Sequence, residues 1–237
     1  MNLKALRSTL RHQASPEKAE GAKRFFKTGP GEYGEGDKFL GLTVPQVRAL
    51  VKQSDALTES DVLALLHSVW HEERLIALLI MVRRFEKAKH DDAARARLVK
   101  LYLSNTSHIN NWNLVDTSAP QLLGVWLLTH ERAILNKLAR SKNLWERRIA
   151  VITTQAFIRA GQFEDTLRLV RSLMRDQHDL MHKACGWMLR EVGKRDQSVL
   201  VKFLNEHAAE MPRTMLRYAI EHFCSAERQR YLAAGRD

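Results

Sequence analysis

The stretch WERRIAVITTQ (Trp145–Gln155) and three stretches that resemble it decide the fold of this chain. The other three are HEERLIALLIM (His71–Met81), LMHKACGWMLR (Leu180–Arg190) and TMLRYAIEHFC (Thr214–Cys224). Each places a basic residue just before a run of small and apolar residues, at Arg74, Arg148, Lys183 and Arg217. The spacings are 74, 35 and 34 residues, and the first is about two repeats of ~37. A further member of the series is therefore expected near residues 111–116.

The rest of the sequence predicts helices as well. Apolar residues recur with helical spacing in SDVLALLHSVW, ARARLVKLYLS, EDTLRLVRSLM and QSVLVKFLNEH, and no stretch alternates as a strand does. Thr43 with Gln46, and Thr58 with Ser60, are typical of helix starts. Helix-pair repeats of the HEAT or armadillo kind stack into a curved solenoid with a concave face. We therefore predict an all-α fold, a right-handed solenoid of HEAT-like helix pairs that forms a single domain over residues 1–237.

The charge of the chain indicates the class of partner. Its 237 residues include 38 Lys and Arg against 27 Asp and Glu, a net charge of +11. A chain this basic favours a polyanion, and a concave groove lined by the repeated basic residues would suit a duplex backbone. No apolar run is long enough to span a membrane, and the N-terminus lacks a signal-peptide pattern, so we expect a cytoplasmic protein. Cys185 and Cys224 lie among apolar residues and are expected to be buried free thiols.

The stretch HINNWNLVDTSAP (His108–Pro120) fills the gap in the repeat but differs from the other members chemically. Trp112 and Asp116 are four residues apart, so a helix would place them on one face, with Leu114 and Val115 turned to the core. An acid in a basic groove repels phosphate, which indicates a use other than binding. Alternatively, Asp116 pairs with Arg148 and holds two helices in register, and the spacing favours neither interpretation.

Three other patterns in the sequence have simpler explanations than the functions they suggest. GPGEYG (Gly29–Gly34) matches a dinucleotide-binding motif, but no strand precedes it and acidic residues surround it, so a flexible loop between helices is expected. Two histidine pairs have metal-ligand spacing but no evident third ligand, and solvated or surface histidines are expected at His67, His71, His178 and His182. Trp187 follows Lys183 by four residues, which suits the groove and a core position equally.

At these residues the sequence resembles the AlkD family of bacterial DNA alkylation repair glycosylases, which have a HEAT-like fold. The similarity covers nearly the whole chain and is carried by PEKAE, FLGLTVPQVRAL, NWNLVD, NLWERRIAV and KACGWMLRE in this order. The family's catalytic Trp and Asp match Trp112 and Asp116, its second groove tryptophan matches Trp187, and its arginine near the Asp matches Arg148. One departure is Phe25, which replaces a family tyrosine and lacks the hydroxyl.

The resemblance implies a reaction and a partner. The reaction is hydrolysis of the N-glycosidic bond of cationic alkylated purines, 3-methyladenine and 7-methylguanine, in base excision repair, without metal or other cofactor. The partner is duplex DNA, read in place by a monomer that lacks a base-flipping loop. Phosphate contacts are expected from Arg48, Lys52, Lys183 and Arg190, while Arg148 either aims Asp116 or binds phosphate. The alternative is a non-catalytic helical-repeat module that binds nucleic acid or an acidic protein.

Overall fold

The computed structural model describes residues 1–233, and within these residues the chain forms sixteen α-helices and no β-strand. A 3-10 helix at Thr106–His108, a π-helix at Pro120–Gly124 and an isolated bridge between Lys38 and Trp70 are the other regular features. The all-α prediction is therefore confirmed. Two compact units divide the chain, Met1–Ser118 and Ala119–Asp237. The expected single repeat domain stays a prediction.

The first unit contains seven α-helices, and the long helix α5 is at its centre. The helices are α1 Leu3–His12, α2 Pro16–Phe25, α3 Val44–Lys52, α4 Glu59–Leu66, α5 His71–Lys87, α6 Asp92–Leu103 and α7 Trp112–Asp116. Helix α5 is buried along most of its length, and it packs against α3, α4, α6 and α7. Its side chains Ile76, Leu78 and Phe85 are almost completely enclosed. A helix that is apolar on most sides is the expected centre of such a unit.

Capping residues set the starts of α3 and α4. Thr43, Gln46 and Thr58 act as the sequence predicts, but Ser60 lies inside α4 and Asp61 is the capping partner of Thr58. The amide and hydroxyl of Thr43 both donate to Oε1 of Gln46, over 2.9 and 2.7 Å. At α4, the amide of Thr58 donates to Asp61 (2.9 Å), and the amide of Asp61 donates back to the Thr58 hydroxyl (3.1 Å). These reciprocal bonds satisfy amides that the first turn of a helix leaves unpaired.

The second unit is built around another long helix, α13. Its α-helices are α8 Val125–Leu127, α9 Ala133–Ala139, α10 Leu144–Thr153, α11 Gln155–Arg159, α12 Glu164–Leu173, α13 Asp179–Arg195, α14 Gln197–His207, α15 Arg213–Ala219 and α16 Ser225–Ala233. Helices α10, α11, α12, α14 and α15 all pack on α13. A Cβ at Gly186 would lie 2.4 Å from the carbonyl oxygen of Met215 and 2.6 Å from Cβ of Tyr218. Glycine in KACGWMLR therefore permits the close approach of α13 and α15.

Helix starts correct the register of the predicted repeat. Asp116, Arg148, Lys183 and Arg217 each lie five positions after the residue that caps their helix. Arg74 lies only four positions after the cap of α5, Trp70. It donates to the carbonyl six residues earlier, at Ser68 (2.9 Å), just as Arg147 donates to Ser141 (3.0 Å). The structural equivalent of Arg74 is thus Arg147, and its alignment with Arg148 is wrong by one residue.

The repeated basic residues also differ in exposure. Arg74 and Arg148 are buried, with 4 % and 5 % of their surface exposed, whereas Arg217 is exposed and Lys183 is half-buried. The expectation that all four project onto an open surface is therefore wrong for the two buried arginines. Long cationic side chains at a helix start are within reach of carbonyl and carboxylate oxygens on neighbouring segments, and burial is tolerated when those bonds form.

The loop Gly29–Gly36 is organised by its own side chains. Glu32 accepts from the amide of Gly29 (2.8 Å), and Glu35 accepts from the amide of Gly31 (2.9 Å). The acidic residues that make a dinucleotide-binding site improbable thus accept hydrogen bonds from the loop backbone. A Cβ at Gly34 would lie 2.4 Å from the carbonyl oxygen of Phe26, so this position admits only glycine.

The sequence also predicts two buried free thiols and no membrane-spanning segment. Both cysteines are free, but only Cys185 is buried and Cys224 is exposed, so the expected burial of Cys224 is wrong. Burial raises the pKa of the Cys185 thiol to about 12. Among the described residues, no helix combines the length and the apolar character needed to cross a membrane.

Candidate active site

The short helix α7 carries the two residues that the sequence places at the centre of the site. Its cap, Asn111, is completely buried, and its side-chain oxygen accepts from the amide of Trp112 (2.8 Å). Leu114 and Val115 are buried, while Trp112 and Asp116 are half-buried. The helix has five residues, too few to be stable alone. Contacts with its surroundings therefore hold Trp112 and Asp116 in place.

The C-terminal end of α7 is anchored by a buried tyrosine. The Tyr102 hydroxyl lies 3.1 Å from the Ser118 hydroxyl, which in turn donates to the carbonyl of Leu114 (2.6 Å). Burial raises the pKa of Tyr102, the negative charge of Asp116 raises it further, and the bond to Ser118 opposes them. The phenol is therefore neutral and can donate a hydrogen bond at this end of the helix.

The N-terminal end of α7 is anchored by Asp37, a buried carboxylate. Arg74 donates to it over 2.7 Å, Asn110 over 3.2 Å and Asn111 over 3.4 Å. Burial raises the pKa of Asp37, but the hydrogen bond from His71 and the charge of Arg74 outweigh it, and the net pKa is lowered. Asp37 is therefore ionised, and it attracts both amides that precede Trp112.

His71 connects this carboxylate to the helix itself. Its Nδ1 lies 3.4 Å from Oδ2 of Asp37, and its Nε2 lies 2.8 Å from the side-chain nitrogen of Asn113. A neutral imidazole with its proton on Nδ1 satisfies both contacts, since it donates to the carboxylate and accepts from the amide. The predicted solvated state is wrong for His71, which is 2 % exposed. The side-chain nitrogens of Asn110, Asn111 and Asn113 thus all donate to Asp37 or His71.

Aromatic rings surround Trp112 on the side of α2. Its ring centroid lies 5.6 Å from Phe25 in an edge-on arrangement and 5.3 Å from Phe26. Phe26 also stacks on Phe39 (5.2 Å) and lies 4.9 Å from His71. Phe25 is the most exposed of the large apolar side chains, at 63 %. An exposed aromatic edge beside Trp112 is suited to contact a base or a sugar.

The first unit also contains the two basic residues that the resemblance assigns to phosphate contact. Arg48 and Lys52 lie on α3, and both are exposed. They are four residues apart, so they share one face of the helix. This placement suits the recognition of a polyanion backbone.

In the second unit, Arg148 lies on α10 and is buried. One of its terminal nitrogens donates to the carbonyl of Leu180 at the start of α13 over 2.7 Å. Arg148 therefore helps to join these two helices. Its positive charge also opposes the burial-driven increase in the pKa of Cys185.

The other predicted residues of the second unit lie along α13. Lys183 forms an ion pair with Asp179 (2.7 Å), and the indole nitrogen of Trp187 donates to Glu191 (3.1 Å). Trp187 is half-buried, so it belongs neither fully to the core nor to the surface. Arg190 pairs with Glu221 through one of its terminal nitrogens. That Trp187 and α7 face one groove stays a prediction.

The sequence did not indicate two residues of the first unit, Asp37 and His71, as part of the site. Asp37 follows the glycine-rich loop, where an acid is ordinarily solvated. For His71 the sequence offers metal-ligand spacing and favours a solvated position, and in the described part of the chain no group of three or more His, Cys, Asp or Glu side chains could hold a metal ion. The available signal was the density of amides at residues 110–113, which requires buried partners.

Comparison with known proteins relates this geometry to a family. The sequence profile of a family described as DNA alkylation repair enzyme matches residues 6–223. The chain belongs to the DNA alkylation repair enzyme family. The resemblance predicted from the motifs is thus confirmed at the level of the family. Since the match includes both units, α7 and α13 lie within the part shared with other DNA alkylation repair enzymes.

A solved structure supports the fold of this DNA alkylation repair family member. It is a predicted DNA alkylation repair enzyme from Enterococcus faecalis, with 16 % sequence identity and a TM-score of 0.70. The similarity covers 90 % of this chain and 98 % of the other. At this identity the comparison establishes the fold alone. No curated protein matches the sequence.

Proposed function

We propose that this chain is a DNA glycosylase that hydrolyses the N-glycosidic bond of cationic alkylated purines, 3-methyladenine and 7-methylguanine, in duplex DNA. Family membership supports an enzyme of DNA alkylation repair. The observation that carries the finer proposal is the placement of Trp112 and Asp116, both half-buried, on a short helix whose other face is in the core. A binding module gains nothing from a carboxylate held there.

The chemistry of the substrate explains why so few groups suffice. An alkylated purine already carries a positive charge and departs as a neutral base, so it needs no strong general acid. The sugar then develops positive charge in an oxocarbenium-like state, as in glycoside hydrolysis generally. The enzyme must stabilise this charge and deliver water to the anomeric carbon.

Asp116 and the tryptophans match these requirements. An ionised Asp116 opposes the positive charge where it develops, and it can orient or deprotonate the attacking water. The faces of Trp112 and Trp187 attract a cationic sugar or base edge. Neither role needs a metal, and the reading of the lesion in place needs no base-flipping loop. Phe25 takes the position of a family tyrosine without its hydroxyl, so it contributes apolar contact only.

The basic residues hold the duplex in this proposal. Arg48 and Lys52 are exposed and would bind phosphate directly. Lys183 and Arg190 would add contacts along α13 after they leave their carboxylate partners. Arg148, which donates to the carbonyl of Leu180, would aim Asp116 or bind phosphate near the lesion. A monomer has all of these groups in one chain.

The decisive experiment is the release of free base from methylated duplex DNA. Wild type is expected to release 3-methyladenine or 7-methylguanine with a chelator present, and to leave an abasic site. Asp116→Asn should slow the release by about 100-fold or more, because the developing charge loses its counter-charge. Its affinity for DNA should be unchanged or slightly higher, since a negative charge near phosphate has been removed.

Asp55→Asn is the matched control, because it removes the same charge from an exposed residue that pairs with Arg83 and Lys87. It should release base at the wild-type rate. A folded wild type that binds DNA but releases no base would contradict the proposal and favour a binding module. An Asp116→Asn protein that is unfolded would assign Asp116 a structural role.

A further inference from the structure

The first turn of α5, HEER (His71–Arg74), consists of four polar side chains that are all buried, with 1–4 % of their surface exposed. Glu73 pairs with Arg7 and Arg11 of α1, over 3.1 and 3.3 Å. Glu72 accepts from the backbone amides of residues 40–42, over 2.8 to 3.3 Å. The two glutamates thus fix the start of α5 to α1 and to the loop before α3.

The other two side chains of this turn act on the segment that leads into α7. Arg74 and His71 both bind the Asp37 carboxylate, which also accepts from Asn110 and Asn111. His71 additionally accepts from Asn113, inside α7. We call Asp37, His71, Arg74, Asn110, Asn111 and Asn113 the Asp37 network. It connects a rigid helix start to three of the four residues from 110 to 113.

We infer that His71 and Asn113 are positioning residues for the proposed base excision, because their hydrogen bond sets the orientation of α7 and thereby of Trp112 and Asp116. The inference rests on the proposed function and assigns a role to residues that do not touch the DNA. His71 is the connecting group, since one ring nitrogen faces Asp37 and the other faces Asn113.

The packing around His71 explains why it can hold an orientation. Its ring lies 4.9 Å from Phe26 and 4.7 Å from Phe39, between centroids, so the imidazole is held between two aromatic rings. A ring confined in this way presents Nε2 in one direction. Asn113 occupies the second position of a five-residue helix, so its side chain constrains the rotation of that helix about its axis. Small errors in the position of reacting groups are costly to catalysis.

If the Asp37 network only stabilised the fold, its loss would have a different effect from the misorientation of α7. Loss of folded protein lowers the DNA-binding capacity and the excision rate by the same fraction. A misoriented α7 lowers the rate of base release in folded, DNA-bound enzyme and leaves affinity unchanged, because affinity comes from phosphate contacts elsewhere. Single-turnover excision measured beside DNA affinity separates these two cases.

The test uses two variants, each of which removes the bond from one side. His71→Phe keeps an aromatic ring between Phe26 and Phe39, and Asn113→Leu keeps the size of a half-buried side chain. Both should lower the single-turnover release of 7-methylguanine from methylated duplex DNA by about 10- to 100-fold. The dissociation constant for DNA should stay within about twofold of wild type. The double variant should be no slower than the slower single variant, since one shared bond is lost.

The control is His207→Phe, which alters a half-buried histidine packed beside Phe203 on α14 (4.6 Å). It should excise at the wild-type rate. An Asn113→Leu protein with wild-type excision would overturn the inference, as would equal losses of rate and binding in both variants, or fully multiplicative losses in the double variant. Absence of base release by wild type would instead overturn the proposed function, and the inference with it.

Discussion

The first turns of α5 and α10 begin alike and serve different purposes. In each, an arginine four residues after the cap donates to a carbonyl six residues back and pairs with an aspartate from another segment. The pairs are Arg74 with Asp37 (2.7 Å) and Arg147 with Asp176 (2.6 Å). Asp176 otherwise accepts from the amide of His178, close by in the chain. Asp37 accepts from three further side chains and so reaches α7.

The difference shows how an arginine–aspartate pair at a helix start can also position a neighbouring helix. Around α10 the arginine–aspartate pair joins a helix to the loop before α13, where Asp176 also accepts from the amide of His178. Around α5 the same pair supports the amides that cap and orient α7, where Trp112 and Asp116 lie. A buried carboxylate needs several donors to offset its lost hydration. In the first unit, the segment of the candidate active site supplies two of them.

The largest expected effect is on stability, and it comes from the removal of Arg74. Arg74→Met leaves the Asp37 carboxylate buried without its cationic partner, and the free energy of unfolding should fall by about 3–5 kcal/mol. Arg147→Met should lower the free energy of unfolding less, by about 1–3 kcal/mol. Arg147 is more exposed than Arg74, and Asp176 keeps the hydrogen bond from the amide of His178. Urea denaturation of the two variants measures both changes. Equal losses, or a larger loss for Arg147→Met, would refute the distinction between the two pairs.

The pH dependence of stability sharpens the same comparison with an intermediate effect. The pKa of Asp37 in the folded protein is below 3.8, its ordinary value. The stability that ionised Asp37 contributes to the folded protein is therefore complete above pH 3.8 and is lost as the pH falls through the lower pKa of the folded state. In Arg74→Met the pKa of Asp37 rises, so the loss of stability relative to wild type should be largest near pH 7 and should shrink as the pH falls and the carboxylate is protonated. Urea midpoints between pH 7 and pH 3 test this, and parallel curves for both proteins would contradict it.

The smallest expected effect is on DNA affinity, and it comes from two exposed cations on α3, which contrast with the buried Arg74. Arg48→Gln and Lys52→Gln should each weaken DNA binding on any sequence and reduce the slope of log K against log salt by about 1. The rate of base release from DNA that is already bound should be unchanged. Lys100→Gln, which removes an exposed charge from α6, is the control and should leave the slope unaltered. A slope that does not change in the α3 variants would exclude Arg48 and Lys52 as phosphate contacts.

Much of the fold and part of the site follow from short-range patterns. Helical periodicity predicts the helices, and Thr43 and Thr58 mark two of their starts, since capping depends on residues only three positions apart. The relation between Trp112 and Asp116 follows from their spacing on one helix. The position of Asp116 in the repeat, five residues after its cap like Arg148 and Lys183, was also predictable from spacing.

Other features depended on partners distant in the sequence. A basic residue at a helix start is compatible with exposure or burial, and the choice depends on whether a carboxylate or carbonyl lies within reach. For Arg74 that carboxylate is Asp37, which lies 37 residues earlier in the chain. The solvated state predicted for His71 is wrong for the same reason, because its partners Asp37 and Asn113 are far away in sequence.

The sequence by itself determined the all-α fold, the family and the residues that face the same side of α7, because each depends on local periodicity or on motifs in order. Only the tertiary structure decided which polar residues are buried together around that helix. Periodicity describes one helix at a time, whereas burial and the hydrogen bonds it requires are set by segments that meet in space. Asp37 and the amides at residues 110–113 are joined by the packing of α5 against α7, and no pattern within either segment encodes that meeting.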